Sequence, residues 1–311
     1  MRDNDSATAT NRVAVLPQPT ASSAGFAWQG TALAFIGVFA FSGSFPSTVL
    51  AMRGFDPYLV AMGRAVIAVA VAVVWLLAAR VPLLPPKSEW RSHGLIALGV
   101  VFGFPLFSGV ALDLGASTSH AAVVIGLLPA TTAAVAVLLA GERPRAGFWL
   151  AVGAGALAVT AFTLSRGGGH VTLPDVLLAG ALVSAAVGYA EGAKLTRTRP
   201  GWQVISHALV LAAPVTVPVT AVLAAVTDVH PSPSSIAGFA YAGLVAMFLG
   251  FIPWYAGLAR GGIARAGQTQ LVQPLLTLVW AWLLVGERFG LVTVVGAVAV
   301  LVCVAFTQRL R

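Results

Sequence analysis

Ten apolar runs follow one another along this chain, each roughly 17 to 25 residues and about long enough for a helix to cross a ~30 Å hydrocarbon layer. They cover residues 27–50, 57–79, 93–113, 118–140, 146–165, 173–193, 203–226, 236–258, 265–285 and 290–307. The runs are continuous and do not alternate apolar with polar, which argues against barrel strands. A helix satisfies its own backbone hydrogen bonds in lipid, whereas a strand depends on a neighbour. With 58% hydrophobic residues, 9% charged and a mean hydropathy of +0.91 over 311 positions, no water-soluble domain of this size fits. The expected fold is therefore an all-α polytopic membrane protein with ten transmembrane helices. The first 25 residues are rich in Ser, Thr, Ala and Pro and lack the apolar core of a secretory signal, so they are expected to form a disordered tail. Cys303, the single cysteine, lies within the last run and excludes an intrachain disulfide.

The net charge of +8 raises the question of nucleic acid, but the basic residues sort by side of the membrane instead. If the N-terminus is inside, 14 Lys and Arg fall on the inner side, 3 (Arg53, Arg166, Arg288) on the outer side, and Arg64 lies within a span. The positive-inside rule then places both termini in the cytoplasm of a multi-pass cell-membrane protein. Trp28, Trp90, Trp149 and Trp202 each stand at the start of an odd-numbered span on that inner side, where an indole buries its ring and keeps its N–H among headgroups.

So charge-poor a chain nevertheless writes Gly-Glu-Arg twice, in LLAGER at 138–143 and LLVGER at 283–288. The first closes span four on the inner side and the second closes span nine on the outer side. Pro129 and Pro274 each precede the glycine by 12 residues, so the match runs through the whole span. Looser matches pair GFPLF at 103–107 with GFIPWY at 250–255, and the seven-residue spacing of Pro57 to Arg64 with that of Pro200 to His207. Two five-helix halves follow, at 26–165 and 173–308, joined by a loop at 166–172. An odd number of spans per half inverts one half relative to the other. Inverted repeats are a device of alternating-access transporters, which hold substrate near the midplane between the halves.

On PATTAAVAVLLAGER, PLLTLVWAWLLVGER and PYLVAMGR the chain resembles the drug/metabolite transporter superfamily, EamA-type, over residues 26–308. Members often carry Trp before the glycine of the first helix, whereas this chain has Ser42 before Gly43. The resemblance implies a cavity formed by spans one, three, four, six, eight and nine. On that basis Ser44, Phe104, Tyr189, Trp254, Gln270 and Gln273 are the expected substrate-binding residues.

Each candidate also has a purely structural reading. Gly-Glu-Arg suits a helix stop with a snorkelling arginine, or a gate salt bridge through Glu142 or Glu287. Pro129 and Pro274, near mid-span, remove amide donors and break the helix; such breaks either border a cavity or pack as tolerated kinks. Gln270, Gln273 and Thr277 share one helical face, which is expected to turn inward, as helix adhesive or as cavity wall. Arg64 sits about 10 Å inside the outer end of span two and needs partners or water, whether it anchors that helix or meets an anionic substrate group. Asp56 and Asp113 are the acids nearest to it in depth. Glu191, within reach of Lys194, and His207 are the candidates for proton coupling on the inner side, or else an interfacial ion pair.

No H-E-x-x-H, G-x-S-x-G or phosphate-cradling glycine loop occurs, so an intramembrane enzyme and direct use of ATP are disfavoured. No metal, cofactor or nucleic acid is expected; the expected partners are a small-molecule substrate and the bilayer. The function expected is secondary-active export of small metabolites such as amino acids. Multidrug or cation efflux and a passive facilitator or channel are the alternatives.

Overall fold

The computed structural model describes residues 22–140, 146–166, 168–261 and 269–309. All regular elements among them are helical. Eight helical rods are long and apolar enough to cross a membrane: Trp28–Met52, Pro57–Ala78, Lys87–Asp113, Thr118–Leu139, Ala146–Ser165, Leu173–Leu195, Gly201–Val226 and Pro233–Arg260. Two shorter apolar helices, Gln270–Val285 and Leu291–Phe306, follow. These ten segments are called spans one to ten below, in chain order. Most of the expected tail, residues 1–21, lies outside the described residues; helix already begins at Ser22. Glu142 and Arg143 of the first Gly-Glu-Arg also lie outside them, as does Gln268.

Span one bends at Gly43, between the helices Ser22–Ser42 and Ser44–Met52. Pro46 has no amide to give the Ser42 carbonyl one turn earlier. That carbonyl instead accepts a 2.9 Å hydrogen bond from the Thr277 hydroxyl of span nine, so the break in one helix is satisfied by another. The Trp280 indole N–H adds a second tie by donating to Ser42 Oγ at 3.0 Å.

Proline interrupts four further spans. Spans three and eight widen into π turns at Ala97–Gly103 and Tyr241–Leu249, ahead of Pro105 and Pro253. A widened turn absorbs the missing amide without exposing a whole turn of backbone. Span four breaks between Ile125 and Leu128, next to Pro129, and span nine opens with a 3₁₀ turn at Gln270–Val272, next to Pro274.

Small residues set the closest crossings. Span three runs against span six where a β-carbon on Gly99 would collide with the Ser184 carbonyl and the Gly188 amide. Span one runs against the second half of span eight, where Gly257 meets the backbone of Ala34 as closely. Without a hydrophobic force between helices in lipid, such backbone proximity is what holds a bundle. Span two lies along span seven and span five along span ten.

Candidate functional site

A chamber sits where the interrupted spans converge. Its cavity is small, about 30 Å³, so the bundle is contracted around its centre. Phe41 and Ser44 of span one, Arg64 of span two, Phe104 of span three, Tyr189 of span six, Phe251 of span eight and Gln273 of span nine reach it, with aliphatic side chains between them. An apolar, aromatic wall with a few converging polar groups is the usual make-up of a small-molecule site.

The polar groups are held by the local folding just described. The bend at Gly43 turns Ser44 inward, and its carbonyl takes the hydroxyls of Ser47 and Thr48. Ser44 Oγ is left to accept a 3.2 Å hydrogen bond from Arg64 Nη2. Arg64 is 3% exposed, and its Nε has no hydrogen-bond partner among the described residues. Neither acid near it in depth is bonded to it: Asp56 caps its own helix by accepting from the Tyr58 and Leu59 amides, at 2.8 and 3.1 Å. Phe41, Tyr189 and Phe251 form one aromatic cluster with centroids 4.7 to 6.2 Å apart, and Phe104 stacks on Phe45 at 5.8 Å.

Of the residues expected to bind substrate, Ser44, Phe104, Tyr189 and Gln273 line the chamber. Trp254 stands behind Tyr189, with ring centroids 5.8 Å apart, and is 2% exposed. Gln270 is buried at the first position of the 3₁₀ turn, off the wall, with its Nε2 unpartnered among the described residues. Glu191 and His207 lie away from the chamber: Glu191 pairs with Lys194 at 3.8 Å, and His207 Nε2 meets the Pro82 carbonyl at 3.0 Å. Phe41 and Phe251 were not singled out from sequence. The first lies three residues before Ser44, across the bend at Gly43, and the second lies inside the GFIPWY motif.

Contacts between the segments before and after residue 167 occur near both ends of the bundle. Span three, 27 residues long, separates them. Near its start, Arg199 pairs with Glu89 at 3.0 Å, and the His93 and His207 rings meet edge to face at 5.5 Å. Beyond its other end, the second Gly-Glu-Arg has a definite task. Gly286 takes a left-handed φ of 76° and stops span nine, and Glu287 then accepts from the amides of Thr118 and Ser119 at 2.7 and 2.9 Å. The partner of Glu287 is thus the start of span four, where free amides and the helix dipole favour a carboxylate, and not a cation. Beside it, His120 pairs with Asp175 of span six at 3.0 Å.

A second hollow, of about 400 Å³, opens at the Arg199 end between Trp202 and Arg260. It is larger, but it is more open to solvent and Arg199 is already engaged with Glu89. The chamber, with its buried polar groups, is the stronger candidate.

The EamA-like transporter family model matches twice, at residues 28–164 and 172–308, one match for each half. The chain belongs to the EamA-like transporter family. As an EamA-like protein it is a multi-pass membrane protein of the drug/metabolite transporter superfamily, and its family points to transport rather than catalysis. It is 43% identical over 275 residues to YdeK of Bacillus subtilis (strain 168), named an uncharacterized transporter, covering 88% of this chain and 95% of that one. An uncharacterized transporter of Archaeoglobus fulgidus is 23% identical over 273 residues, covering 86% and 92%. A protein of known crystal structure shares the fold with a TM-score of 0.61 at 22% identity, covering 91% of this chain and 99% of that one.

Proposed function

We propose that this EamA-like protein is a secondary-active exporter of small metabolites, amino acids among them, working by alternating access in the cell membrane. Its two halves would form inverted five-helix units, with both termini cytoplasmic. The observation that carries the reading is the chamber itself: both halves supply its wall, and contacts between the halves close the bundle on either side of it. Breaking the Glu287 and Asp175 contacts opens one end and breaking the Glu89–Arg199 contact opens the other, which is what a carrier with a midplane site requires.

The pattern of helix pairing supports two related units. Span one lies on span eight as span six lies on span three, and spans two with seven and five with ten each pair a segment with its own counterpart. Proline-linked breaks also fall in corresponding spans, three with eight and four with nine.

The test is counterflow in proteoliposomes loaded with unlabelled amino acids and offered the labelled forms outside. Acceleration by solute on the far side marks a carrier. Conductance without exchange would refute the proposal.

A further inference from the structure

Arg64 is a buried charge that the contacts among the described residues leave without a counter-charge. Its guanidinium faces the chamber at 3% exposure, gives one hydrogen bond, to Ser44 Oγ at 3.2 Å, and meets no carboxylate within ion-pair distance among the described residues. Its Nε is buried without a partner. Taking a cation out of water without a counter-charge costs several kcal/mol, even after relaxation. A structural anchor would meet that cost with an acid or with backbone carbonyls; among the described residues Arg64 has neither, and Asp56, one of the two acids nearest in depth, is occupied by its own helix N-terminus.

The other polar side chains on the wall are the Ser44 hydroxyl, the Gln273 amide and the Tyr189 phenol, all able to donate. No Asp or Glu reaches the wall among the described residues. The rest is apolar, with Phe41, Phe104 and Phe251 among aliphatic side chains. A guanidinium presents a planar fork that fits a carboxylate through two parallel N–H···O bonds, and such charge-assisted bonds strengthen in a low-dielectric site. A single fixed positive charge balances a monoanion, whereas a dianionic phosphate would leave one charge unmatched in the same apolar enclosure.

We infer that the chamber selects solutes bearing a single carboxylate and an apolar remainder, with Arg64 holding the carboxylate, Ser44 and Gln273 beside it, and the aromatic cluster taking the remainder. This inference rests on the transporter reading and specifies its substrate class. It also separates the protein from cation efflux, for which the wall supplies no acid.

The test measures thermal stabilisation of the purified full-length protein by matched pairs without an amino group: 3-methylbutanoate, 4-methylpentanoate and 3-phenylpropanoate, each against its neutral carboxamide. For at least one pair the carboxylate is expected to stabilise at a tenfold or more lower concentration than the amide. That preference is expected to be lost in Arg64→Gln and partly kept in Arg64→Lys. Equal or better stabilisation by the amides, no stabilisation by any of the three carboxylates, or an unchanged preference in Arg64→Gln overturns the inference. The wild-type comparison stands by itself should a variant fail to fold. Counterflow run alongside separates the two ideas. Exchange of some solute without carboxylate preference removes the anion site and leaves the carrier; carboxylate-selective binding without exchange removes the carrier and leaves the anion site.

Discussion

Replacing Glu287 with alanine removes two hydrogen bonds, at 2.7 and 2.9 Å, that a carboxylate at the end of span nine accepts from the first amides of span four. Bonds to a charged acceptor contribute about 1.5 to 3 kcal/mol each, a gross 3 to 6 kcal/mol for the pair. Glu287 is partly exposed, so water screens the charge and returns to the freed amides, which brings the expected net loss to about 1 to 3 kcal/mol. The contact joins the two halves at one end only, so the loss falls on the conformation closed at that end. On the scale of coupling energies this is a shift of about 5- to 150-fold toward the open state. A reporter thiol on the chamber wall reads the shift. In a Cys303→Ala background with Ala246→Cys, labelling by a membrane-impermeant reagent applied from the Glu287 side is expected to rise at least fivefold in Glu287→Ala. Glu287→Asp, which keeps the charge, is expected to fall in between. Unchanged labelling in a correctly inserted Glu287→Ala protein would refute the reasoning.

Thr277→Val strips the hydroxyl from the Ser42 carbonyl that Pro46 leaves without an amide, and a buried carbonyl so abandoned costs about 1 to 3 kcal/mol; a lowered unfolding temperature, restored by Thr277→Ser, checks it. Gly99→Leu drives a side chain into the Ser184 carbonyl and the Gly188 backbone and is expected to destabilise by about 1 to 3 kcal/mol or more, read as loss of the monodisperse species on size exclusion. Arg199→Ala breaks the ion pair with Glu89, whose partly exposed setting limits its worth to about 0 to 1 kcal/mol; the unfolding temperature is expected to stay nearly constant while chamber labelling from that end rises. Glu191→Gln is expected to leave the pH profile of counterflow unchanged, because that carboxylate pairs with Lys194 away from the chamber.

The membrane fold was legible because lipid leaves the backbone almost no freedom: runs of apolar residues must be helices, and their lengths follow from bilayer thickness. The family itself was legible in the spaced Pro and Gly-Glu-Arg pairs, and its model matches at residues 28–164 and 172–308. Which side chains face the centre was harder to read, since helical spacing assumes an unbroken helix. The π turn at Tyr241–Leu249 adds a residue's worth of rotation before GFIPWY, and it is Phe251 that lines the chamber while Trp254 packs behind Tyr189. The role of Glu287 was hidden for another reason. Its partners are backbone amides at 118 and 119, and an amide carries no sequence signature. Arg64 stood out by type and depth, but its lack of an acidic partner could be seen only once Asp56 was found capping its own helix.

Alternation between the two ends is tested most directly by distances measured on the same protein in nanodiscs. Spin labels at positions 113 and 288 span the Glu287 end, and labels at 91 and 197 span the Glu89 end. Introducing Glu287→Ala is predicted to lengthen the 113–288 distance in a growing fraction of molecules while the 91–197 distance shifts toward its short population. Both distances lengthening together, or neither responding, would contradict a carrier that opens one end at a time.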